Sequence, residues 1–213
     1  MMAGETLTRR LHLGLQEFEA LNLDESQEEA LLSYLDLLQR WNKTYNLTAV
    51  RDPRRMITRH ILDSLAIFEW VGKGRLLDAG TGAGLPGVPL AIAAPELEVT
   101  LLDSAGKKVR FLNHVKRELA LQNITPIQDR LESYEPDITF DSLVSRAFSD
   151  LAAFADAARH LVRPATRLLA MKGRYPDTEL RGLPDDVRVD SVEKLRVPGL
   201  QEDRHLVIMS FIV

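Results

Sequence analysis

The sequence predicts an α/β fold: a mostly parallel seven-stranded sheet between helices, with a C-terminal antiparallel hairpin and an N-terminal helical extension. Three observations lead there. From about residue 75 short apolar runs alternate with helical segments, the pattern of strand–helix–strand units that bury a parallel sheet between two helical layers. The last two strand-like runs have no helix between them, which makes them antiparallel partners. Residues 1–71 carry apolar positions at helical spacing and no strand-like run, so they form the extension.

Helices are expected near 5–20, 25–42 and 54–70. In the second, Leu31, Leu32, Leu35, Leu38 and Trp41 follow the i, i+3, i+4 rule, and "DESQ" at 24–27 has the form of a capping box with Asp24 as N-cap. "NLTAVRDP" reads as the loop before the third helix. "GKG" at 72–74 marks a boundary, dividing the chain into a 1–71 extension and a 72–213 sheet domain packed as one globular unit. The expected strands are "RLLDAG" (75–80), "EVTLLDS" (98–104), "ITPIQD" (124–129), "FDSLVSRAF" (140–148) and "TRLLAMKG" (166–173). "PGVPLAIAA", "KKVRFLNHVKRELAL" and "DLAAFADAARHLV" are the intervening helices. "VRVDSVEKLRVP" (187–198) and "RHLVIMSFI" (204–212), joined through "GLQED", form the closing hairpin.

At 213 residues, with 45% hydrophobic and 27% charged residues, the chain has ordinary globular composition and enough length to bury a core and a pocket. It contains no cysteine, which removes disulfides, thiolate metal clusters and cysteine nucleophiles. Histidines 12, 60, 114, 160 and 205 do not pair at metal-ligand spacing, so no metal is expected. No apolar stretch approaches the ~20 residues of a membrane span, and the N-terminus has no apolar signal region. The expectation is a cytoplasmic protein, and a monomer is the simpler assembly.

"DAGTGAGLPGVP" (78–89) follows the first strand, at the sheet edge where doubly wound folds bind ligands. Two glycine codes overlap in it. Gly82-x-Gly84-x-x-Gly87 has dinucleotide spacing; Asp78-x-Gly80-x-Gly82-x-Gly84 is the pattern of methyltransferases that use S-adenosylmethionine. A pyrophosphate needs free backbone N–H groups at the start of the next helix, and Pro86 and Pro89 remove two of them. S-adenosylmethionine carries no phosphate and loses nothing, while glycines let the backbone lie against its methionine and ribose portions. Asp78 at the strand end is placed to face the ligand's ammonium group, directly or through water.

Asp103 ends the second strand, where a carboxylate can accept hydrogen bonds from both ribose hydroxyls. It also suits a cap ahead of "SAGKK", and the two roles are compatible. After the third strand, Leu131 and Glu132 in "QDRLES" offer an apolar wall and an acceptor for adenine, although by spacing alone Glu132 is equally a solvated loop acid. Arg146, after the fourth strand, stands where methyltransferases meet their substrate. It can pair with the donor's carboxylate, a phosphate or a guanine O6.

Absences narrow the reaction. Carbon-5 methylation of a pyrimidine needs a cysteine, and methylation of an exocyclic amine usually accompanies an Asn/Asp-Pro-Pro-aromatic turn where this chain has Ser145-Arg146-Ala147-Phe148. A ring nitrogen such as guanine N7 is nucleophilic at neutral pH and has no proton to lose, so alignment alone suffices and no general base is expected. Positive charge clusters at Arg40, Lys43, Arg51, Arg54, Arg55, Arg59 and His60, along Lys107, Lys108, Arg110, Lys116 and Arg117, and at Lys172 and Arg174. Such clusters suit RNA or DNA, though solvated helix faces look the same. Trp41 and Tyr45 can stack on bases but are read as packing of the extension.

"RWNKTYNLTAVRDP", "RHILDSL", "LLDAGTGAGLPGVPLAI", "TLLDSAGKKVRFL", "SRAF", "MKG" and "LRVPGLQEDRHLVI" together resemble the RsmG (GidB) family, ribosomal RNA small-subunit methyltransferase G, from about residue 20 to the C-terminus. The resemblance implies a Rossmann-like class I S-adenosylmethionine-dependent methyltransferase fold, S-adenosylmethionine as donor, and N7-methylation of one guanine in the decoding-centre loop of 16S rRNA. Carried over by position, the family's donor-binding residues fall on Gly80, Leu85, Leu131 with Glu132, and Arg146. Asp78, Gly82 and Asp103 complete the expected donor site, with Arg146 also positioning the substrate. Lys172, Arg204 and His205 match positive positions in the family motifs, and with Arg59, His60 and Lys107 they are the expected RNA contacts. Ala83 stands where other members can have proline, and "DRLESYEP" is a variable loop.

Overall fold

A computed structural model describes residues 6–148 and 150–212. Helix α1 (Leu7–Leu15) is capped by Thr6, whose hydroxyl accepts the Arg9 N–H at 3.2 Å. The helix expected to reach residue 20 stops at Leu15, where the Glu17 and Phe18 amides tighten into i→i+3 turns on Gly14 and Leu15; residue 5 lies outside the described residues. Helix α2 (Glu25–Tyr45) starts on the expected capping box: Asp24 accepts the Gln27 N–H at 2.9 Å, and the Gln27 side chain accepts the Asp24 N–H at 3.0 Å. It ends at Asn46 in a left-handed conformation, φ 50°.

The third expected helix is broken. Helix α3 (Pro53–Met56) leads into a π-helical turn (Ile57–Leu62), then α4 (Asp63–Leu65) and α5 (Phe68–Val71). The wider turn accommodates a segment buried nearly all round, including Ile57, His60, Ile61, Leu62 and Asp63. Single π-turns of this kind are frequent at functional sites.

The sheet comprises β1 (Arg75–Ala79), β2 (Glu98–Leu102), β3 (Ile124–Ile127), β4 (Ser142–Ser145), β5 (Arg167–Lys172), β6 (Val187–Lys194) and β7 (His205–Phe211). Helices α6 (Gly87–Ala93), α7 (Gly106–Glu118), α8 (Leu151–Ala158) and α9 (Asp177–Arg181) lie between strands. All seven strands lie within the expected runs and are shorter than them, most of all β4, which ends at Ser145, three residues before the end of its run. Their order is β3-β2-β1-β4-β5-β7-β6, parallel except for β7, which runs antiparallel to both β5 and β6. The order reverses between β1 and β4, so the carboxyl ends of those strands open the binding edge. Helix α9 was not expected: it buries no residue, so no apolar period announces it.

Successive strand residues face opposite layers. Leu76 and Leu101 join a core with Leu31, Tyr34, Ile61, Val88 and Phe111 from the helices of one face. Leu77 and Leu102 join Phe154, Leu168 and Met209 on the other. Residues of the N-terminal helices thus share a core with the sheet. Trp41 packs against Phe111 (ring centroids 5.5 Å apart), His114 (5.3 Å) and Tyr45 (5.1 Å), fixing α2 to α7. No helix among the described residues is long and apolar enough to cross a membrane.

Candidate active site

The turn after β1 passes through Gly80, Gly82 and Gly84 at φ +71°, +63° and +94°, values that favour glycine. The Gly80 and Thr81 N–H groups both donate to the Leu102 carbonyl, at 2.9 and 3.0 Å. Behind the turn lies Asp78, 0% exposed; its Oδ2 accepts the Thr81 hydroxyl at 2.6 Å and the Gly87 N–H at 2.8 Å, while Oδ1 has no partner among the described residues. Burial pushes its pKa up to about 6. The expectation that Asp78 faces the ligand is therefore corrected: its carboxylate braces the turn from the core side.

The start of α6 has no amide to offer. Gly87 N–H is held by Asp78, Val88 N–H donates to Gly84 at 2.7 Å, and Pro89 has none. A pyrophosphate would find no donor there.

A cleft of about 290 Å³ opens at the carboxyl edge, lined by Gly80, Leu102, Asp103, Ser104, Lys108, Asp129, Arg130, Leu131, Glu132, Ala147 and Phe148. Asp103 does not take the expected capping role, since the N-cap of α7 is Ala105 with no side-chain cap bond; its Oδ1 accepts the Ala105 N–H at 2.9 Å in the turn leading to the helix, and Oδ2 accepts Gly82 N–H at 2.9 Å and Lys108 Nζ at 3.0 Å. Its carboxylate still borders the cleft, and each oxygen has two acceptor sites. Leu131 and Glu132 lie on a 3₁₀ turn (Leu131–Ser133) forming the opposite wall. Gly80 marks a tight approach, since a Cβ there would stand 2.7 Å from the Ala147 Cβ. Two expected contacts move: Leu85 is 4% exposed and packs in the core, and the Gly82 amide is spent on Asp103, so both shape the turn rather than the cleft wall.

A second cavity, about 340 Å³, is lined by Val50, Arg59, His60, Asp63, Arg146, Met171, Lys172, Gly173 and Arg204. Arg146 belongs here and not to the first cleft, but the next two residues, Ala147 and Phe148, line that cleft. Residues 146–148 are thus a wall between the two cavities. Ser145 pins this wall: its hydroxyl donates to the Ala79 carbonyl at 2.7 Å and accepts the Ala147 N–H at 3.1 Å.

Of the expected RNA contacts, Arg59, His60, Lys172 and Arg204 gather in this second cavity. Arg59 pairs with Glu202, and Lys172 Nζ lies 2.6 Å from Glu179 and 3.2 Å from the Phe148 carbonyl. Three assignments change. His60 donates from Nδ1 to the Arg59 carbonyl (2.9 Å), leaving Nε2 to accept the Thr48 hydroxyl (2.8 Å); burial, then the Arg146 charge, push its pKa down to about 4, so it carries no positive charge at neutral pH. His205, 8% exposed within β7, packs edge-on against Tyr175. Lys107 reaches back to the Tyr45 carbonyl at 3.1 Å, outside both cavities.

Asp63 was absent from the expected site. Its side chain, 3% exposed, accepts Arg204 Nε at 2.8 Å on Oδ1 and Arg146 Nη1 at 3.2 Å on Oδ2. The available signal was an aspartate inside the apolar run "RHILDSL", since a buried acid requires a partner.

The sequence profile of the GidB family, described as rRNA small subunit methyltransferase G, matches residues 27–207. The chain belongs to this family. It is 50% identical over 201 residues to the ribosomal RNA small subunit methyltransferase G of Pseudomonas syringae pv. tomato, covering 94% of this chain and 95% of that relative. It is 50% identical over 189 residues to the protein of that name from Salmonella typhimurium, covering 89% and 91%. A crystal structure of a SAM dependent methyltransferase from Aquifex aeolicus matches with a TM-score of 0.59 at 20% identity, over 79% of this chain and 97% of that one. The fold of the GidB-family chain is therefore the Rossmann-like class I methyltransferase fold, and the chain is an enzyme of the methyltransferase class.

Proposed function

We propose that the chain transfers a methyl group from S-adenosylmethionine to N7 of a specific guanine in 16S rRNA of the small ribosomal subunit. The observation that carries this is the pair of cavities on either side of residues 146–148: one suits a nucleoside, and the other is lined with cations. The donor supplies an electrophilic sulfonium methyl, which the N7 lone pair takes as the carbon–sulfur bond breaks, with no proton transferred.

The nucleoside cleft suits that donor: Gly80 presents no Cβ, Asp103 has a carboxylate able to accept from ribose hydroxyls, Leu102, Leu131 and Phe148 supply apolar surface, and Glu132 offers an acceptor to the adenine amine. Asp78, Gly82 and Leu85 act by holding the turn. On the other side, Arg146, Arg204, Arg59 and Lys172 receive the nucleotide. Their role is electrostatic attraction and alignment, not proton transfer. The N-terminal helices belong to the same globular unit, because Arg59 and Asp63 come from them and complete the second cavity. The enzyme acts as a monomer in the cytoplasm, where its ribosomal substrate lies.

Labelled donor incubated with unmethylated small subunits should place label on one guanine, which then becomes cleavable by N7-specific aniline chemistry. Label at another atom or another RNA overturns the assignment.

A further inference from the structure

We propose that Asp63 is a positioning residue for methyl transfer: it holds Arg146 and Arg204 so that their free N–H groups meet oxygen acceptors of the target nucleotide. This rests on the function proposed above. Arg146 comes from the end of β4 and Arg204 from the residue before β7, and Asp63 reaches both from the helical segment that follows the π-turn. Three distant stretches of chain converge on one buried carboxylate, each oxygen holding a different guanidinium.

The hydrogen-bond inventory shows what remains for a ligand. Arg146 uses Nη1 on Asp63 and on the Arg59 carbonyl (3.4 Å), and Arg204 uses Nε on Asp63 and Nη1 on the Asp203 carbonyl (2.9 Å). Arg146 Nε and Nη2 and Arg204 Nη2 have no acceptor among the described residues. Charge points the same way. Arg59 and Lys172 each have an acidic partner and His60 is neutral, whereas two guanidiniums share the single carboxylate of Asp63. The cavity keeps an excess positive charge whose direction Asp63 sets, suited to a base carbonyl or a phosphate oxygen. Because Arg146 directly precedes the wall of the donor cleft, its orientation also bears on where the nucleotide stands relative to that cleft.

An aligning role and a merely structural role give opposite signatures. Asp63→Asn removes a negative charge, so affinity for unmethylated small subunits without donor should stay level or tighten, while kcat falls about tenfold or more as one guanidinium loses its anchor. Asp63→Glu keeps the charge but displaces both guanidiniums, and should also lose kcat while binding subunits normally. Arg204→Lys keeps the cavity charge without the Nε contact and remains informative if both Asp63 variants unfold; its kcat should fall with subunit binding retained. Filter binding, steady-state methylation and thermal unfolding are read together. The proposal is overturned if kcat of a folded variant stays within twofold of wild type, or if kcat falls only in step with subunit affinity and Tm. Wild-type protein that modifies no guanine N7 would instead overturn the function proposed above, whatever the variants do.

Discussion

Gly80→Ala tests the donor cleft at its tightest point. An alanine at φ +71° carries a left-handed penalty of roughly 1–2 kcal/mol. Its Cβ would stand 2.7 Å from the Ala147 Cβ, about 1 Å inside ordinary carbon contact. Ala147 cannot retreat freely, because Ser145 ties it to β1 through bonds of 2.7 and 3.1 Å. The turn and the wall must part, at a total stability cost of about 2 kcal/mol, or roughly 4–8 °C in Tm for a chain of this size. Displacing two walls of the cleft should weaken donor binding at least tenfold, about 1.4 kcal/mol. Calorimetric titration with S-adenosylhomocysteine and thermal unfolding measure the two effects separately. Gly182→Ala is the control: it caps α9 at φ −95°, and its Cβ would meet nothing closer than 3.6 Å. If Gly80→Ala loses Tm but binds the ligand within twofold of wild type, the cleft is misassigned and the glycine serves the turn alone.

Asp78→Ala leaves the buried Thr81 hydroxyl and Gly87 N–H without their acceptor, a loss of about 2–4 kcal/mol; an unchanged urea midpoint would show that the acid does not brace the turn. His60 has a folded pKa of about 4 against an ordinary 6.5, so between these values the unfolded chain binds the proton first and stability falls as pH drops. Asp78, about 6 against 3.8, has the opposite sign: the folded chain binds its proton first, and stability rises as pH drops through that window. From pH 7 to 5.5 each contributes on the order of 1 kcal/mol and they nearly cancel, so wild-type Tm should change little while His60→Gln gains stability; a variant that loses stability over that range contradicts the assignment. Trp41→Ala should lower Tm by several degrees and leave subunit affinity unchanged, because the ring packs α2 on α7; weaker RNA binding at equal Tm would make it a stacking residue.

The strands were legible because a parallel sheet buried on both faces writes continuous apolar runs into the sequence, as in Leu76–Leu77 and Leu101–Leu102. The prolines of the glycine turn were informative for a related reason: a missing N–H is a local covalent fact that no tertiary contact restores. Asp78 misled because position at a strand end does not say which way a carboxylate points; Thr81 and Gly87 draw it into the core. Sequence shows residue type and not surroundings: it does not reveal that His60 is desolvated and uncharged, or that His205 packs within β7 against Tyr175. Asp63 stayed hidden for the most general reason. Its meaning depends on Arg146 and Arg204, 83 and 141 residues away, arriving at the same point.

That convergence ties the helical extension to the second cavity, where Asp63 pairs with both arginines. The parallel sheet alone places Gly80, Asp103 and Ala147 along one edge, enough to border a nucleoside. It does not close the other side of the 146–148 wall, where Arg146 and Arg204 would lack the carboxylate that pairs with both. The acids at the ends of β1 and β2 cannot supply that anchor, because Asp78 and Asp103 are committed to the glycine turn. The π-turn brings Arg59 and His60 to the cavity, and Asp63 follows it directly. In a regular α-helix residues 59, 60 and 63 would lie at spacings set by a 100° step, and the wider turn resets that register. A local irregularity in the extension therefore sets the orientation of two arginines that the sheet delivers.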